Sequence, residues 1–377
     1  MPAMERCDFL VVGAGMAGAS AAYWLAERGR VVVLEREDAP GYHATGRSAA
    51  MYMETYGGSL TRALATAGRA FLVDPPSGFS DTPLLSPHQV LYIGRADQLD
   101  ALDRFYEECR PLVPSLLRLD AAETLSRSLP LREDYVAGAV LEPVSEEIDV
   151  SALHQGYLRG LRARGGTLMT EVEVTALARN GSLWQAETPA GTFAAPVVVN
   201  AAGAWCDAVA ARAGIAPIGL QPKRRTAFIF DGPADDDVGA WPMIHDVGDE
   251  FYLKSDAGRL LASPADETPS DPCDAHPEEL DIAIGADRIM KATTLEIRHI
   301  RNKWAGLRSF VADRLPVAGF DLVAEGFFWL AGQGGAGIMT APALGAVTAA
   351  IAAGDALPEE AAARDITAAQ LSPGRLR

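Results

Sequence analysis

The stretch Asp8–Glu37, DFLVVGAGMAGASAAYWLAERGRVVVLERE, decides the fold. Phe9–Val12, with Asp8 before it, reads as a short buried strand. Gly13, Gly15 and Gly18 then spell G-x-G-x-x-G, and Ala17–Arg28 continues with helical composition. A second apolar run, Val31–Leu34, ends at Glu35, 22 positions after Gly13. Strand, tight turn, helix, strand and acid together make a complete dinucleotide-binding unit. Gly13 permits the turn, Gly15 lets backbone approach a pyrophosphate, and Gly18 lets helix and strand pack closely. The helix start, at Met16 and Ala17, points free N–H groups at the phosphates. Glu35 can accept hydrogen bonds from ribose hydroxyls and disfavours a 2′-phosphate, which argues against NADP; Arg36 adjoins it.

A chain of 377 residues is long enough for two domains. Its 49% apolar and 22% charged residues are ordinary globular values. The net charge of −17 argues against nucleic acid or an anionic membrane as partner. Cys7, Cys109, Cys206 and Cys273 are widely spaced, with no C-x-x-C, so neither a metal site nor a disulfide framework is expected. No apolar run is long enough for a membrane span. The N-terminus runs straight into the first strand without a signal-peptide pattern, so a cytoplasmic location is the expectation.

Further along, PGYHATGRSAAMYMETYGG is expected as a loop leading into a helix over Leu60–Leu72. The proline-rich stretch from Asp74 to Pro87 reads as a boundary, followed by a strand at Val90–Ile93 and helical material over Asp97–Leu117. Leu153, Tyr157, Leu158 and Leu161 restore helical spacing, with Asp149 or Ser151 as cap. Thr167–Val174 and Val197–Asn200 read as strands, the second running through Ala202 and Gly203 toward Trp205 and a helix. From Gln221 the alternation in RTAFIF, EFYLK and GRLLASP predicts half-buried antiparallel sheet. The last segment, GFFWLAGQGGAGIMTAPALGAVTAAIAAG, repeats strand, glycine-rich turn and helix. The expected fold is therefore α/β: a Rossmann-like nucleotide-binding domain interrupted by an antiparallel-sheet domain. Its parts are placed at 1–80, 145–220 and 309–377, with the substrate domain at 81–144 and 221–308.

GAGMAG with Glu35, VVVNAAGAW and WLAGQGGAGIMTAPALG together resemble the D-amino-acid oxidase superfamily of FAD enzymes. Within it, GYHATGRSAA, LQPKRRTAFIF, FYLKSDAG and WAGLRSFVAD look most like bacterial D-arginine dehydrogenase and related FAD-dependent D-amino-acid dehydrogenases. The resemblance implies FAD, a parallel-sheet cofactor domain, and an antiparallel sheet covering the isoalloxazine. Physical chemistry points the same way. A helix opening at Gly334–Gly337, followed by Ile338, can stabilise the charge that a flavin gains at its N1/O2 edge on reduction. By the same likeness Gly46, Arg47, Ser48, Val174, Ala202, Gly203 and Trp205 lie along the cofactor. His43 matches a histidine beside which such enzymes hold FAD non-covalently.

The resemblance also carries a substrate site. Arg225 and Arg308 match arginines that hold a substrate carboxylate, and Tyr252 matches a tyrosine adding a third hydrogen bond. Gly335 matches a backbone carbonyl that receives the amine, and Tyr56 a wall or lid residue. The implied reaction passes hydride from the α-carbon of a D-amino acid to flavin N5, giving an imino acid that hydrolyses to a 2-oxo acid and ammonia. A dehydrogenase with a quinone-like acceptor is favoured. Two positions depart from the D-arginine pattern. Met51 stands where a histidine is expected, leaving His245 as a replacement. His88 and Gln89 stand where an acid should read a cationic side chain, while Glu54 could supply one from another direction. Met51, Met53 and Met243 make the expected pocket apolar, so uncharged D-amino acids are expected. Sarcosine, glycine or a 2-hydroxy acid as substrate, and a non-catalytic flavin-binding subunit, remain the alternatives.

Overall fold

The computed structural model describes residues 4–127, 129–234 and 236–377. Its organising element is a six-stranded sheet in the order Thr167–Met169, Val31–Leu34, Phe9–Val12, Val197–Asn200, Phe327–Ala331, Val317–Phe320. The first five strands run parallel and the last antiparallel. Phe9, Val11, Val31, Val33, Val199, Phe328 and Leu330 bury into one core; Leu10, Val12, Val32, Leu34, Val198, Phe327 and Trp329 bury into another. Both faces are covered, which is why these strands read as unbroken apolar runs rather than alternations.

Helices Met16–Leu25, Ser59–Val73 and Gly337–Ala353 pack on one face of this sheet. Gly337–Ala353 is apolar around almost its whole circumference, as a helix enclosed by neighbours must be. On the other side a four-stranded sheet pairs Glu5–Arg6 with Gly191–Ala195, Leu183–Thr188 and Ala176–Asn180. Its alternation in ALARNGSLWQAET is plain in the sequence and was not part of the expected pattern.

A nine-stranded sheet carries the rest. Its order is Thr268–Pro269, Gln221–Phe230, Arg259–Ser263, Tyr252–Asp256, Met243–Asp246, Val90–Gly94, Gly138–Glu142, Leu117–Asp120, and the long strand Ile300–Phe310 pairs with Gln221–Phe230. One face packs Leu91, Ile244, Leu253 and Phe228 against Ile282 and Ile289 of helix Glu279–Ala292. The opposite face presents Tyr92, Met243 and Tyr252 toward Met51 and Met53. The expected all-antiparallel pattern fails at one place, because Met243–Asp246 pairs parallel to Val90–Gly94.

Two further expectations are corrected. The helix expected over Asp97–Leu117 is Leu99–Cys109, and Leu117–Asp120 is a strand. Pro111 and Pro114 lack the N–H that a continuing helix would need. The strand expected over Thr167–Val174 stops at Met169; beyond it Glu171 adopts a left-handed φ of 58°. Val150–Ala163 forms as expected, capped by Asp149, whose carboxylate accepts from Ala152 N at 2.8 Å. Among the described residues no helix is long and apolar enough to cross a membrane.

Candidate active site

A single elongated cavity runs from the ends of the parallel strands to the face of the nine-stranded sheet, with an empty volume of about 2250 Å³ including its open mouth. At the first end, Gly13 turns the chain with φ +101°, and a Cβ there would stand 2.6 Å from Ala201 O. Only glycine satisfies both conditions. Helix Met16–Leu25 opens at Gly15 with no side-chain cap of its own, and the Thr45 hydroxyl accepts from Met16 N at 2.9 Å. Glu35 ends its strand buried, accepting from Ala14 N at 2.7 Å and Glu37 N at 3.0 Å. Arg36 stacks 4.5 Å above the Trp205 ring.

His154 contributes from helix Val150–Ala163, its Nε2 lying 2.8 Å from Ala14 O. A carbonyl oxygen only accepts, so Nε2 donates. Burial pushes the His154 pKa down, which keeps the ring neutral and the glycine turn pinned. No motif in the sequence marks this residue, because the contact spans 140 positions.

Gly13, Gly15, Met16, Ala17, Glu35, Arg36, Arg47, Ser48, Val174, Ala202, Gly203 and Trp205 all line this part of the cavity. Gly334, Gly337 and Ile338 line it where helix Gly337–Ala353 opens, again without a side-chain cap. Two expected cofactor residues do not line it. Gly18 packs inside the unit, where a Cβ would lie 1.9 Å from Gly13 O, and Gly46 sits in a short helical turn, its N–H donating to Gly41 O. Arg47 lines the cavity but spends its guanidinium elsewhere, donating to Ala275 O and Ala305 O at 3.0 Å each.

At the second end the register of two paired strands sets the chemistry. Arg225 lies opposite Gly306 and Arg308 opposite Lys223, which puts both arginines on one sheet face. They are not equivalent. Arg225 is 6% exposed; its Nε donates to Asp266 O at 2.8 Å, and its Nη2 lies 3.8 Å from Asp249 and 3.7 Å from Glu267. Arg308 has no carboxylate within salt-bridge distance among the described residues, and it faces the cavity. Burial opposes its charge, but Tyr56, Tyr252, Asp249 and Glu267 outweigh that and hold it cationic. A Cβ at Gly335 would meet Tyr56 Oη at 2.5 Å and Arg308 Nη1 at 3.0 Å, so Tyr56, Arg308 and the last glycine turn converge. Tyr252, Met51, Met53 and Met243 complete the wall.

An acid does line this end, contrary to expectation, and it is Asp249. His245 Nε2 lies 3.1 Å from its carboxylate. Burial alone would raise the Asp249 pKa; the His245 hydrogen bond and the Arg225 and Arg308 charges reverse that, leaving it below the ordinary value. His88, Gln89 and Glu54 lie outside the cavity, Glu54 accepting from Tyr52 Oη at 2.9 Å. Asp249 has no sequence signal, since a β-turn brings it in.

Two glycine turns opening into helices, a buried acid after the second strand and one continuous cleft fit a dinucleotide carrying a redox-active ring, and the chain is of the flavin-dinucleotide class. Residues 8–351 match the DAO family, FAD dependent oxidoreductase; the chain belongs to it and uses FAD. It is 28% identical over 379 residues to the uncharacterized oxidoreductase YurR of Bacillus subtilis, covering 92% of this chain and 95% of that one. It is 24% identical over 365 residues to glycine oxidase of Geobacillus kaustophilus, covering 92% of each. The crystal structure of that glycine oxidase superposes with a TM-score of 0.82 at 23% identity over 94% of this chain and 96% of that one. L-proline dehydrogenase of P. horikoshii superposes at 0.81 with 20% identity, over 99% and 98%. The broad resemblance thus stands as family membership. The narrower one, to D-arginine dehydrogenase, rests on the sequence runs alone.

Proposed function

We propose that the protein oxidises a small, uncharged D-amino acid to its imino acid, which water converts to a 2-oxo acid and ammonia. FAD, when bound, supplies the hydride acceptor at N5. The observation that carries the reading is Arg308: a cation inside the cleft, without a carboxylate partner among the described residues and flanked by Tyr56 and Tyr252. Such a group is completed by a substrate carboxylate, through two parallel hydrogen bonds. Arg225 fixes the sheet beneath it, and its unpartnered Nη2 offers a further donor. The Gly335 carbonyl is assigned to the amine. Met51, Met53 and Met243 surround the side chain with apolar, adaptable surface.

In this reading the segments 1–80, 145–220 and 309–377 hold FAD, and 81–144 with 221–308 hold the substrate. The D-arginine dehydrogenase likeness supports the D-enantiomer and a quinone-like acceptor, with FAD held non-covalently. His43 supports the last point: its Nε2 is engaged by Glu37 at 2.8 Å. A second reading, oxidation of glycine or sarcosine, is favoured by the glycine oxidase relative. Anaerobic mixing of the purified flavoprotein with D- and L-amino acids, glycine, sarcosine and 2-hydroxyglutarate distinguishes them by loss of flavin absorbance. Bleaching by D-amino acids alone is expected. Bleaching by glycine or sarcosine alone would install the second reading.

A further inference from the structure

We infer that His245, oriented by Asp249, accepts the proton that the substrate nitrogen must lose before oxidation. The inference rests on the amine reading above and deepens it. In the step, one N–H bond of the substrate ammonium breaks, its electron pair stays on nitrogen, and the proton adds to the imidazole. No electrons change hands at this stage.

The geometry supplies the dyad. Strand Met243–Asp246 turns alternate side chains, Met243 and His245, into the cavity. Across the sheet His245 stands in register with Tyr92 on one side and Tyr252 on the other, at ring separations of 5.3 Å and 6.0 Å. The turn after the strand then returns Asp249 to the histidine four residues earlier. That turn is built for the purpose: Asp249 holds a left-handed φ of +56°, and its N–H donates to Asp246 O at 2.9 Å. Buried Asp246 fixes the loop by accepting from Gly248 N at 2.8 Å and Gln98 Nε2 at 3.2 Å. An ionised carboxylate only accepts, so the Nε2 that faces Asp249 carries hydrogen. Nδ1 is left with a lone pair and no hydrogen-bond partner among the described residues.

The other titratable groups around the substrate end cannot take this proton near neutrality. From strand Val90–Gly94 comes Tyr92, whose pKa burial raises and whose hydroxyl pairs with Thr55 Oγ1 at 3.0 Å. From Tyr252–Asp256 comes Tyr252, from the 51–56 loop Tyr56, and from the two long strands Arg225 and Arg308. A phenol hydroxyl is a far weaker base than an amine, and a guanidinium has no lone pair to offer. Asp249 itself, held below the ordinary carboxylate range, is too weak a base. The imidazole is the remaining acceptor, and an oriented general base contributes roughly 100- to 10,000-fold.

The test follows anaerobic flavin bleaching by the best substrate of the panel between roughly pH 6 and pH 10, spanning the histidine and amine ranges. His245→Gln keeps a donor for Asp249 but removes the base. It should bleach about 100-fold more slowly near pH 7, with the deficit closing at high pH where solvent has already deprotonated the amine. Asp249→Asn should move the acidic limb of the profile, and added imidazole should partly restore His245→Ala. Affinity for acetate or benzoate, read from the flavin spectrum, should stay within about twofold, since the carboxylate site is Arg308. An unchanged profile in His245→Gln would overturn the inference alone, as would a pH-independent loss accompanied by weakened carboxylate binding. If the wild-type protein is bleached by nothing in the panel, the amine reading falls and takes this inference with it.

Discussion

The two ends of the cleft are built in different ways. At the cofactor end one run of chain, Gly13 to Glu35, resting on strands buried on both faces, supplies the turn, the helix start and the acid, and Arg47, Val174, Trp205, Gly334, Gly337 and Ile338 close around it. At the substrate end Tyr56, Arg225, His245, Asp249, Tyr252, Arg308 and Gly335 arrive from dispersed segments, brought together by strand register and turns. The first end is apolar architecture with a few backbone donors exposed. The second gathers buried Arg225, half-buried Arg308 and exposed Asp249, and a charge withdrawn from water costs stability unless it is partnered. Function and stability therefore pull apart at one end and not at the other.

The largest effect should come from separating the two arginines. Arg308→Met removes a cation that the protein alone leaves without a carboxylate, so kcat/KM should fall by about 100-fold or more, roughly 3 kcal/mol. Thermal stability should hold or rise, because an apolar group of similar size replaces a half-buried charge with no carboxylate partner among the described residues. Arg225→Met should do the reverse: a smaller loss in kcat/KM, about tenfold, with a lower Tm, since it strips the bond to Asp266 O and the neighbour of Asp249 and Glu267. Equal kinetic losses in the two variants would mean an evenly shared carboxylate clamp, and the asymmetry described above would be wrong.

This contrast also explains what the sequence revealed. G-x-G-x-x-G, Glu35 and the last glycine turn are local patterns, and Phe9–Val12, Val31–Leu34 and Phe327–Ala331 are continuous apolar runs, so the cofactor end was legible. Arg225, Tyr252 and Arg308 are singled out by family resemblance, not by spacing, and the structure brings all three to the cleft wall. Asp249 was missed because its position depends on a left-handed residue in a turn, and His154 because its partner Ala14 is remote in sequence. The parallel pairing of Met243–Asp246 with Val90–Gly94 was missed for the same reason: alternation reports one buried face, not strand direction.

The support beneath the substrate end gives the next prediction. Met51, in the short strand Met51–Tyr52, and Met53 and Tyr56 just after it lie on a segment anchored by Glu142, a fully buried acid bonded to Glu54 N at 3.1 Å and to the Thr55 hydroxyl at 2.5 Å. Burial, opposed by those hydrogen bonds, pushes its pKa from 4.5 up to about 7. The folded state thus holds this proton more tightly than the unfolded chain. Stability from Glu142 is complete below about pH 4.5 and is lost as pH rises toward 7, by up to about 3 kcal/mol. Gln mimics the protonated acid, its oxygen accepting from Glu54 N and its amide donating to Thr55. The stability difference between Glu142→Gln and wild type should therefore grow in favour of Gln between pH 5 and pH 8, as measured by urea unfolding. A difference that is flat with pH would show that Glu142 is already ionised and that this end tolerates a buried charge unaided.

The smallest effect should lie at the cofactor end and should leave the substrate end untouched. Glu35 uses one oxygen for Ala14 N and the other for Glu37 N, and it lines the cleft. Glutamine can satisfy only one of those backbone donors, because its amide would face the second N–H with a hydrogen of its own. Leaving one buried donor unpaired costs about 1–2 kcal/mol. Glu35→Gln should therefore bind FAD roughly tenfold more weakly, as measured by flavin fluorescence on titration. Once saturated with FAD, it should reduce at the wild-type rate, since Glu35 lies at the end of the cleft away from Arg308. A slower reduction at full FAD occupancy would show that the ends are coupled through the cofactor-binding turn, and the division between a locally encoded end and an assembled one would then hold for folding but not for function.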